Sequence, residues 1–319
     1  MTTTTTLMAM LYGQPKRMKT SMGLAAFPTG LWVGVPGAIK PVAENELGFT
    51  PTVYEHPIRT LPDLLGLLEM FAENDLGADY PAVCIDDISL ICDTSITFWQ
   101  DNPKFTASGK VDKFYPYAQL KYYLHRISEM SRHIGVSVLM IAHEQLPGSD
   151  GDGNFLPGGP ALGSKKQVLR VPGWCDFNAR AVLNSDYPDP WCKTGLFVDS
   201  WDANWVTGDR NGVGRRNSPP NLRELLRASR TEYRLQRVPG LEWQDGVADK
   251  LVKALDKGME LPKAVESVAA SCSKYDQLHV RWALQDGIAR AAIKRQMSAS
   301  MFAAPVVKTA TKTSSTNPA

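Results

Sequence analysis

The sequence predicts an α/β fold, with a mainly parallel central sheet flanked by helices and a small helical region towards the C-terminal end. Short apolar runs alternate with helical stretches of about ten or more residues through most of the chain, a pattern typical of βαβ units. These runs are continuously apolar, as expected of parallel strands that are buried on both faces. After residue 240 the pattern changes to Ala-rich amphipathic stretches, which favour helices.

The composition is that of a globular protein. Of 319 residues, 43% are hydrophobic and 21% are charged, which excludes a wholly disordered chain and collagen-like or mucin-like classes. No apolar run approaches the roughly 20 residues of a membrane-spanning helix, and the first residues lack the basic pattern of an export signal. We therefore expect no membrane association.

Charge and cysteine content restrict the class further. With 35 basic and 33 acidic residues, the net charge of +2 is too balanced to indicate a nucleic-acid partner by itself. Five widely spaced cysteines without a CxxC pair argue against a disulfide framework and a zinc ribbon. This pattern fits a reducing compartment, so we expect a cytoplasmic protein.

Each predicted strand in the first half is a short apolar run bounded by turn-forming or acidic residues. The strands are residues 7–12, 31–35, 52–54, 82–85 and 136–142, and the helices are residues 20–26, 62–74 and 118–133. The helix over 62–74 places Leu64, Leu68 and Phe71 on one face, with Asp63 in its first turn.

The second half carries weaker signals. Residues 148–163 are rich in Gly and Pro, which indicates a mobile loop. The segments predicted after it are strands at 177–183, 195–198 and 204–207 and helices at 222–230, 247–257 and 262–301. We expect a core of residues 1–240, a helical region of 241–302 and a disordered tail of 303–319.

The strongest motif lies between the first predicted strand and the first predicted helix. It comprises Gly13, Gln14, Pro15, Lys16, Arg17, Met18, Lys19, Thr20 and Ser21. This segment is similar to GxxxxGK[ST], the phosphate-binding loop (P-loop), in the context that the pattern needs. Backbone N–H groups would surround the β-phosphate of ATP, Lys19 would bridge the β- and γ-phosphates, and Thr20 would bind Mg²⁺.

Met18 departs from this pattern, because it stands where the P-loop has its second glycine. A methionine there needs a tolerated φ and a side chain directed away from the nucleotide. The alternative is a chance match in a turn before a helix.

Polar pairs follow two further predicted strands. Asp86 and Asp87 follow residues 82–85, where Asp86 would hold Mg²⁺ and Asp87 would orient or deprotonate the attacking water. His143 and Glu144 follow residues 136–142, and His143 would hydrogen-bond the γ-phosphate at the same sheet edge. Lys19, Asp87, His143 and Glu144 are therefore candidate catalytic residues. The alternative is that the acidic pair caps a turn and that the histidine is structural.

These three segments, in this order, resemble the RecA-type ATPase core, most closely that of compact bacteriophage ATPases and recombinases. A fourth segment, residues 205–212, resembles the Lys-x-Arg-Asn-Gly stretch of DnaB-type helicases, with Arg210 at the arginine and Gly208 in place of the lysine. The resemblance covers residues 7–214 and implies that Arg210 is a catalytic arginine for a neighbouring subunit's nucleotide, in a ring or filament. The alternative is a β-turn with Asn-Gly at its tip.

The sequence lacks one residue that the RecA family uses. That family has a water-activating glutamate after its second core strand, where this chain has Val35 and Pro36. The acids that would substitute are Glu44, Glu46, Glu55 and Asp87, and the sequence does not choose among them. Together with Met18 and Gly208, this departure predicts slow hydrolysis or ATP-gated binding without efficient turnover.

Two loops of RecA-like proteins bind single-stranded DNA, and the matching regions here carry lysines. The candidate contacts are Lys104, Phe105, Lys110 and Lys113 within residues 101–116, and Lys165 and Lys166 after the Gly/Pro loop. Lysines neutralise phosphates and aromatic rings stack on bases. The alternative is a solvated loop, because nearby aspartates dilute the charge. Separately, a continuous helix would align Arg223, Arg227, Arg230, Arg234 and Arg237 in one stripe.

The sequence thus predicts an ATP- and Mg²⁺-dependent DNA-binding ATPase of phage recombination or replication, which would act in the host cytoplasm as a homo-oligomer on single-stranded DNA. One alternative is an assembly protein that keeps the nucleotide fold with little hydrolysis. The other is a helicase or a helicase-loading motor.

Overall fold

The computed structural model describes residues 7–47, 49–74, 76–183, 194–197 and 204–210, with isolated residues between 222 and 270. The strands are β1 (Met8–Gly13), β2 (Leu31–Gly34), β3 (Thr52–Val53), β4 (Ala82–Asp86), β5 (Ser137–Gln145), β6 (Gly148–Ser149), β7 (Phe155–Leu156), β8 (Gly159–Pro160), β9 (Phe177–Leu183), β10 (Thr194–Phe197) and β11 (Gly208–Asp209). The helices are α1 (Lys19–Ala26), α2 (Pro36–Val42), α3 (Leu61–Asn74), α4 (Ile88–Asp101), α5 (Tyr115–His133) and α6 (Lys165–Trp174), with a π-helix at Ala43–Leu47 and a 3₁₀ turn at Leu76–Ala78.

The central sheet is mainly parallel, as predicted. Its parallel strands lie in the order β9-β1-β5-β4-β2-β3, and β10 and β11 pair with β9 in the antiparallel sense. Because the strands run the same way, β1, β4 and β5 all end at one edge of the sheet. Ligands of open α/β sheets bind outside that carboxyl edge.

Both faces of the sheet are covered by helices, which confirms the predicted fold class. Met8, Met10 and Tyr12 of β1 enter one core, which helices α3, α4, α5 and α6 complete. Leu7 and Leu11, together with Ala9, enter a second core under α1 and α2. This double burial explains why the strands are continuously apolar rather than alternating.

Helix α4 is not predicted from the sequence, although its pattern is helical. Its buried residues are Ile88, Ser89, Ile91, Cys92, Ser95 and Trp99. They recur at spacings of three and four residues, the period of one helix face. Ser95 also ties α4 to α3, since its hydroxyl accepts the Leu61 N–H at 2.7 Å.

The prediction that residues 148–163 form no regular element is wrong. Strands β6 and β7 form a hairpin, and β8 pairs antiparallel with the end of β5. The Asp150 carboxylate closes the hairpin turn by accepting the N–H groups of Asp152 and Asn154 at 2.9 Å and 2.8 Å. This glycine-rich turn is therefore closed by a side chain whose role composition alone does not reveal.

Several predictions lie outside the described residues. They include the arginine stripe over 223–237, the continuous C-terminal helices and the tail over 303–319. Within the described part of the chain, no helix is long and apolar enough to cross a membrane.

Candidate active site

The loop after β1 leads directly into α1, and its first residue must be glycine. A Cβ on Gly13 would lie 2.6 Å from the carbonyl oxygen of Ala181 on β9, closer than real Cβ contacts allow. The close packing of β1 against β9 therefore fixes the start of the loop.

Met18 takes the backbone conformation of the glycine that it replaces. Its φ of 56° and ψ of 20° are left-handed, and Lys16 also has a positive φ of 61°. A non-glycine residue in this region is strained by about 1–2 kcal/mol. The Met18 side chain packs against the core under α1 and α2, so the bulky thioether belongs to that core. The departure from the P-loop pattern is thus accommodated at a cost in strain.

Lys19 begins α1 and lies inside the loop. Its ammonium group donates to the carbonyl oxygens of Gly13 at 2.9 Å and Gln14 at 2.8 Å, and the residue is 8% exposed. Burial lowers the Lys19 pKa from its ordinary value, although the nearby charges of Asp86, Asp87 and Glu144 oppose this shift. The loop therefore holds a positive charge that is poorly solvated and close to three carboxylates.

Thr20 contacts Asp86 across the sheet edge. The Thr20 hydroxyl donates to Asp86 Oδ2 at 2.6 Å, which joins the start of α1 to the end of β4. Burial raises the pKa of Asp86 above its usual range, against the opposing effect of this hydrogen bond. A hydroxyl and a carboxylate are hard oxygen donors of the kind that Mg²⁺ prefers.

These two side chains fit a magnesium ion that takes two ligands from the protein and the others from water and a nucleotide. Within the described residues, no cluster of three or more His, Cys, Asp or Glu side chains could hold a metal. Mg²⁺ sites of nucleotide-binding proteins commonly use only one or two protein carboxylates with substrate phosphates. A cation would also offset the free-energy cost of burying the charged Asp86 carboxylate.

Asp87 and His143 bond to each other beside this pair. Asp87 Oδ1 accepts the Leu90 N–H at 2.6 Å and so caps α4, while Oδ2 lies 2.8 Å from His143 Nε2. The peptide bond between Asp86 and Asp87 is cis. The His143 N–H donates to Ser89 Oγ at 2.9 Å, and His143 pairs with Gly13 in the register of β5 and β1.

Glu144 points to a different set of partners. Its Oε2 lies 3.0 Å from Arg180 Nε, and the Glu144 side chain is only 4% exposed. The Arg180 guanidinium stacks over the Trp205 ring at 3.1 Å from its centroid. A Cβ on Gly158 would lie 2.5 Å from the Trp205 ring, so this glycine makes room for the stack. The other carboxylate oxygen of Glu144, Oε1, has no hydrogen bond among the described residues.

The sequence analysis does not identify Arg180 or the role of Trp205. Arg180 is the single charged residue in the apolar segment of β9, between Ala179 and Ala181. That isolation in a buried strand is the signal that marks it, because a buried charge needs a partner.

Arg210 lies far from the loop over residues 13–21 of its own chain. Its side chain donates to the Gly173 carbonyl at 3.1 Å and forms an ion pair with Asp176 at 3.7 Å. Asp176 in turn accepts the N–H of Met8, the first residue of β1, whereas the loop starts at Gly13, roughly 16 Å along the strand. Arg210 therefore does not serve the site in its own chain.

The predicted DNA contacts fall into two places. Lys104, Lys110 and Lys113 are exposed between α4 and α5, where Phe105 is 64% and Phe114 is 82% exposed. Lys165 and Lys166 lie in the first turn of α6, where the Lys165 ammonium donates to the Ser149 carbonyl of the hairpin. The first place is an exposed surface of lysines and aromatic rings, and the second is partly used by the fold.

Of the acids proposed to replace the missing glutamate, Asp87 lies at the site, whereas Glu44 and Glu55 lie on exposed segments. Glu44 is exposed on the π-helix, and Glu55 is exposed after β3, the outermost parallel strand. Asp87 is already bonded to His143 and to the start of α4. The side chain of Glu46 lies outside the described residues.

Comparison with known proteins finds no matching family model and no matching curated protein. Among solved structures, the chain is similar to a KaiC-like protein from the hyperthermophilic archaeon Pyrococcus horikoshii OT3. The TM-score is 0.34 and the identity 10%, over 60% of this chain and 77% of the other. A likeness this distant supports no conclusion about function. A proposal of function therefore rests on the geometry of the site.

Proposed function

We propose that this chain is a RecA-type ATPase that binds ATP with Mg²⁺ at the carboxyl edge of its sheet. The observation that carries the proposal is the 2.6 Å contact between Thr20 and Asp86, made beside the buried ammonium of Lys19. Two separate parts of the sequence thus combine a phosphate-binding cation, Lys19, with the metal-binding oxygens of Thr20 and Asp86. These are the groups that phosphoryl transfer needs.

Each residue has a defined task in this proposal. Backbone N–H groups of residues 16–21 would bind phosphate oxygens at the start of α1. The Lys19 ammonium would exchange its carbonyl partners for phosphate oxygens, and Thr20 and Asp86 would hold Mg²⁺. Mg²⁺ supplies charge neutralisation of the phosphates when it is bound.

The direct test is whether Mg²⁺ strengthens ATP binding through Thr20 and Asp86. We expect the wild type to bind ATP more tightly with Mg²⁺ than with EDTA, and Thr20→Ala and Asp86→Asn to lose that difference. Thr97→Ala is the matched control, because Thr97 is an exposed threonine of α4 that donates only to the Asp93 carbonyl. A wild type whose ATP affinity ignores Mg²⁺ in a calorimetric titration would refute the metal assignment.

Single-stranded DNA binding is the second part of the proposal, and the exposed surface between α4 and α5 supports it. Here Lys104 lies over the Tyr115 ring at 5.2 Å, and Phe105 and Phe114 present unpacked faces. Such a surface suits backbone neutralisation combined with base stacking. A role in phage recombination or replication rests on the resemblance of the motifs. Hydrolysis stimulated by single-stranded DNA separates this role from a weakly hydrolysing assembly protein, and strand displacement separates it from a helicase.

Assembly is the third part, and Arg210 is the residue that tests it. Since Arg210 lies at the opposite sheet edge from its own phosphate loop, a catalytic role requires a neighbouring subunit. We expect Arg210→Ala to keep ATP affinity and to lose the dependence of turnover on protein concentration. An equal loss of ATP affinity and turnover would instead mean that Arg210 serves the fold through its ion pair with Asp176.

A further inference from the structure

His143 and Asp87 form a hydrogen-bonded pair next to the loop that the proposed function assigns to ATP. His143 lies opposite Gly13 in the register of β5 and β1. Its Nε2 is 2.8 Å from Asp87 Oδ2, and its side chain is 46% exposed. An exposed imidazole that a carboxylate holds at one nitrogen is the arrangement of a general base.

The pairing determines which ring nitrogen carries the hydrogen. A carboxylate oxygen can only accept, so Nε2 is the donor to Asp87 and Nδ1 of the neutral ring keeps its lone pair. The described residues give Nδ1 no hydrogen-bond partner. The ring position is also fixed from the backbone, since the His143 N–H donates to Ser89 Oγ. Nδ1 is thus an oriented acceptor at the edge of the site.

The acids of the site are less suited to the same task. Both Asp87 oxygens have partners, namely the Leu90 N–H and His143. Glu144 is turned towards Arg180 and is 4% exposed. Glu55 follows β3, which lies two strands from β4 and therefore roughly 10 Å away across the sheet.

From this geometry we infer that His143 is the general base that takes a proton from the water attacking the γ-phosphate, and that Asp87 is its positioning residue. The inference rests on the proposed ATPase function, and it gives this chain a substitute for the glutamate that RecA-like proteins carry after the second core strand. In the step, the water oxygen bonds to the γ-phosphorus as the bond from that phosphorus to the bridging oxygen breaks. The electron pair of the broken bond stays on ADP, the water proton moves to Nδ1, and it then passes to the phosphate product or to solvent.

The first test is His143→Gln, measured by single-turnover hydrolysis and by ATP affinity. Glutamine still offers hydrogen bonds but does not accept a proton at neutral pH. If His143 only contacted the γ-phosphate, the variant would therefore keep its hydrolysis rate. We expect the rate to fall on the order of 100-fold, with the ATP dissociation constant within about twofold of wild type. His125→Gln on α5 is the control, because that exposed histidine contacts Glu129 and the Trp174 ring rather than a residue of the site.

The second test is Asp87→Asn, which changes the ring tautomer. The asparagine oxygen can still accept the Leu90 N–H and cap α4, so thermal stability should be preserved. Its amide N–H would donate to Nε2 and move the ring hydrogen to Nδ1, which blocks the base. We expect a loss similar to that of His143→Gln. Asp101→Asn, at the exposed end of α4, is the control.

Chemical rescue provides a readout that a structural role would not give. Added imidazole should restore part of the hydrolysis of His143→Ala and none of the hydrolysis of Lys19→Ala. If the wild type hydrolyses ATP and His143→Gln hydrolyses it at the same rate, this inference would be overturned and the proposed function would stand. A wild type that binds ATP without hydrolysing it, with or without single-stranded DNA, would also overturn it. A wild type that binds no ATP would overturn both.

Discussion

The loop over residues 13–21, proposed to bind phosphate, and the surface between α4 and α5 both carry positive charge, but Lys19 of the first is buried and the lysines of the second are exposed. Lys19 is buried and donates to two carbonyl oxygens, and three carboxylates lie near it. Lys104, Lys110 and Lys113 are exposed, and the side-chain contact found for this set among the described residues is that of Lys104 with the Tyr115 ring.

The difference shows how each region would recognise a ligand. A buried cation in a prearranged loop suits a small anion of fixed shape, because little ordering is left to be done on binding. Exposed lysines among aromatic rings suit a long flexible polyanion, because its binding releases counterions from the phosphates. ATP affinity should therefore depend on single residues of the loop, whereas DNA affinity should depend on the summed contributions of many residues.

Lys19→Ala should give the largest effect. Removing the ammonium leaves phosphate charge without its partner, so ATP affinity should fall on the order of 100-fold or more. Lys40→Ala on α2 removes an exposed lysine and should leave affinity unchanged. Equal ATP affinity of the Lys19 variant and wild type in equilibrium titration would show that the loop does not bind phosphate.

Substituting Lys104, Lys110 and Lys113 together by alanine should weaken single-stranded DNA binding without changing ATP affinity. If each lysine neutralises one phosphate, the slope of log affinity against log salt should decrease by about 2. The control is the triple alanine variant of the exposed Lys40, Lys253 and Lys257, which changes net charge equally. Identical salt slopes for the two triple variants would remove the α4–α5 surface as a DNA site.

Replacing Met18 separates backbone strain from side-chain packing in the phosphate loop. Met18→Gly and Met18→Ala both remove the thioether, but only alanine keeps a Cβ at the left-handed φ of 56°. The glycine variant should be more stable by about 0.5–1 kcal/mol, after its more flexible unfolded chain is taken into account. Chemical denaturation measures this difference, and a more stable alanine variant would show that φ is not strained.

The β6–β7 hairpin should show the smallest effect, and only in acid. The Asn154 side chain and backbone N–H groups hold the pKa of Asp150 below its ordinary value of 3.8. The unfolded turn therefore binds the proton more readily, so this stabilisation is present above the ordinary pKa and is lost as pH falls through the lower folded value. Amide chemical shifts of the turn should follow that loss, whereas Asp150→Asn should show no such titration. A turn whose shifts stay constant in acid would mean that the charge of Asp150 does not hold it.

The candidate site was predictable wherever its chemistry follows a strand end. The apolar runs identified β1, β4 and β5, and parallel strands must end at the same edge, so Lys19, Thr20, Asp86 and His143 were expected near one another. Residues that act through long-range contacts were not predictable in this way. Arg180 lies opposite Tyr12 on the neighbouring strand, and its partners Glu144 and Trp205 are each about 25 or more positions away in the sequence.

By itself, the sequence determined the parallel sheet, its two buried faces and the loop that follows its first strand, because hydrophobic period and turn chemistry are local properties. Tertiary structure alone decided that Met18 could occupy the left-handed position, that Asp87 turns to His143 and that Glu144 turns to Arg180. Those outcomes depend on which groups the packed chain brings within hydrogen-bond distance, and no local pattern contains that information.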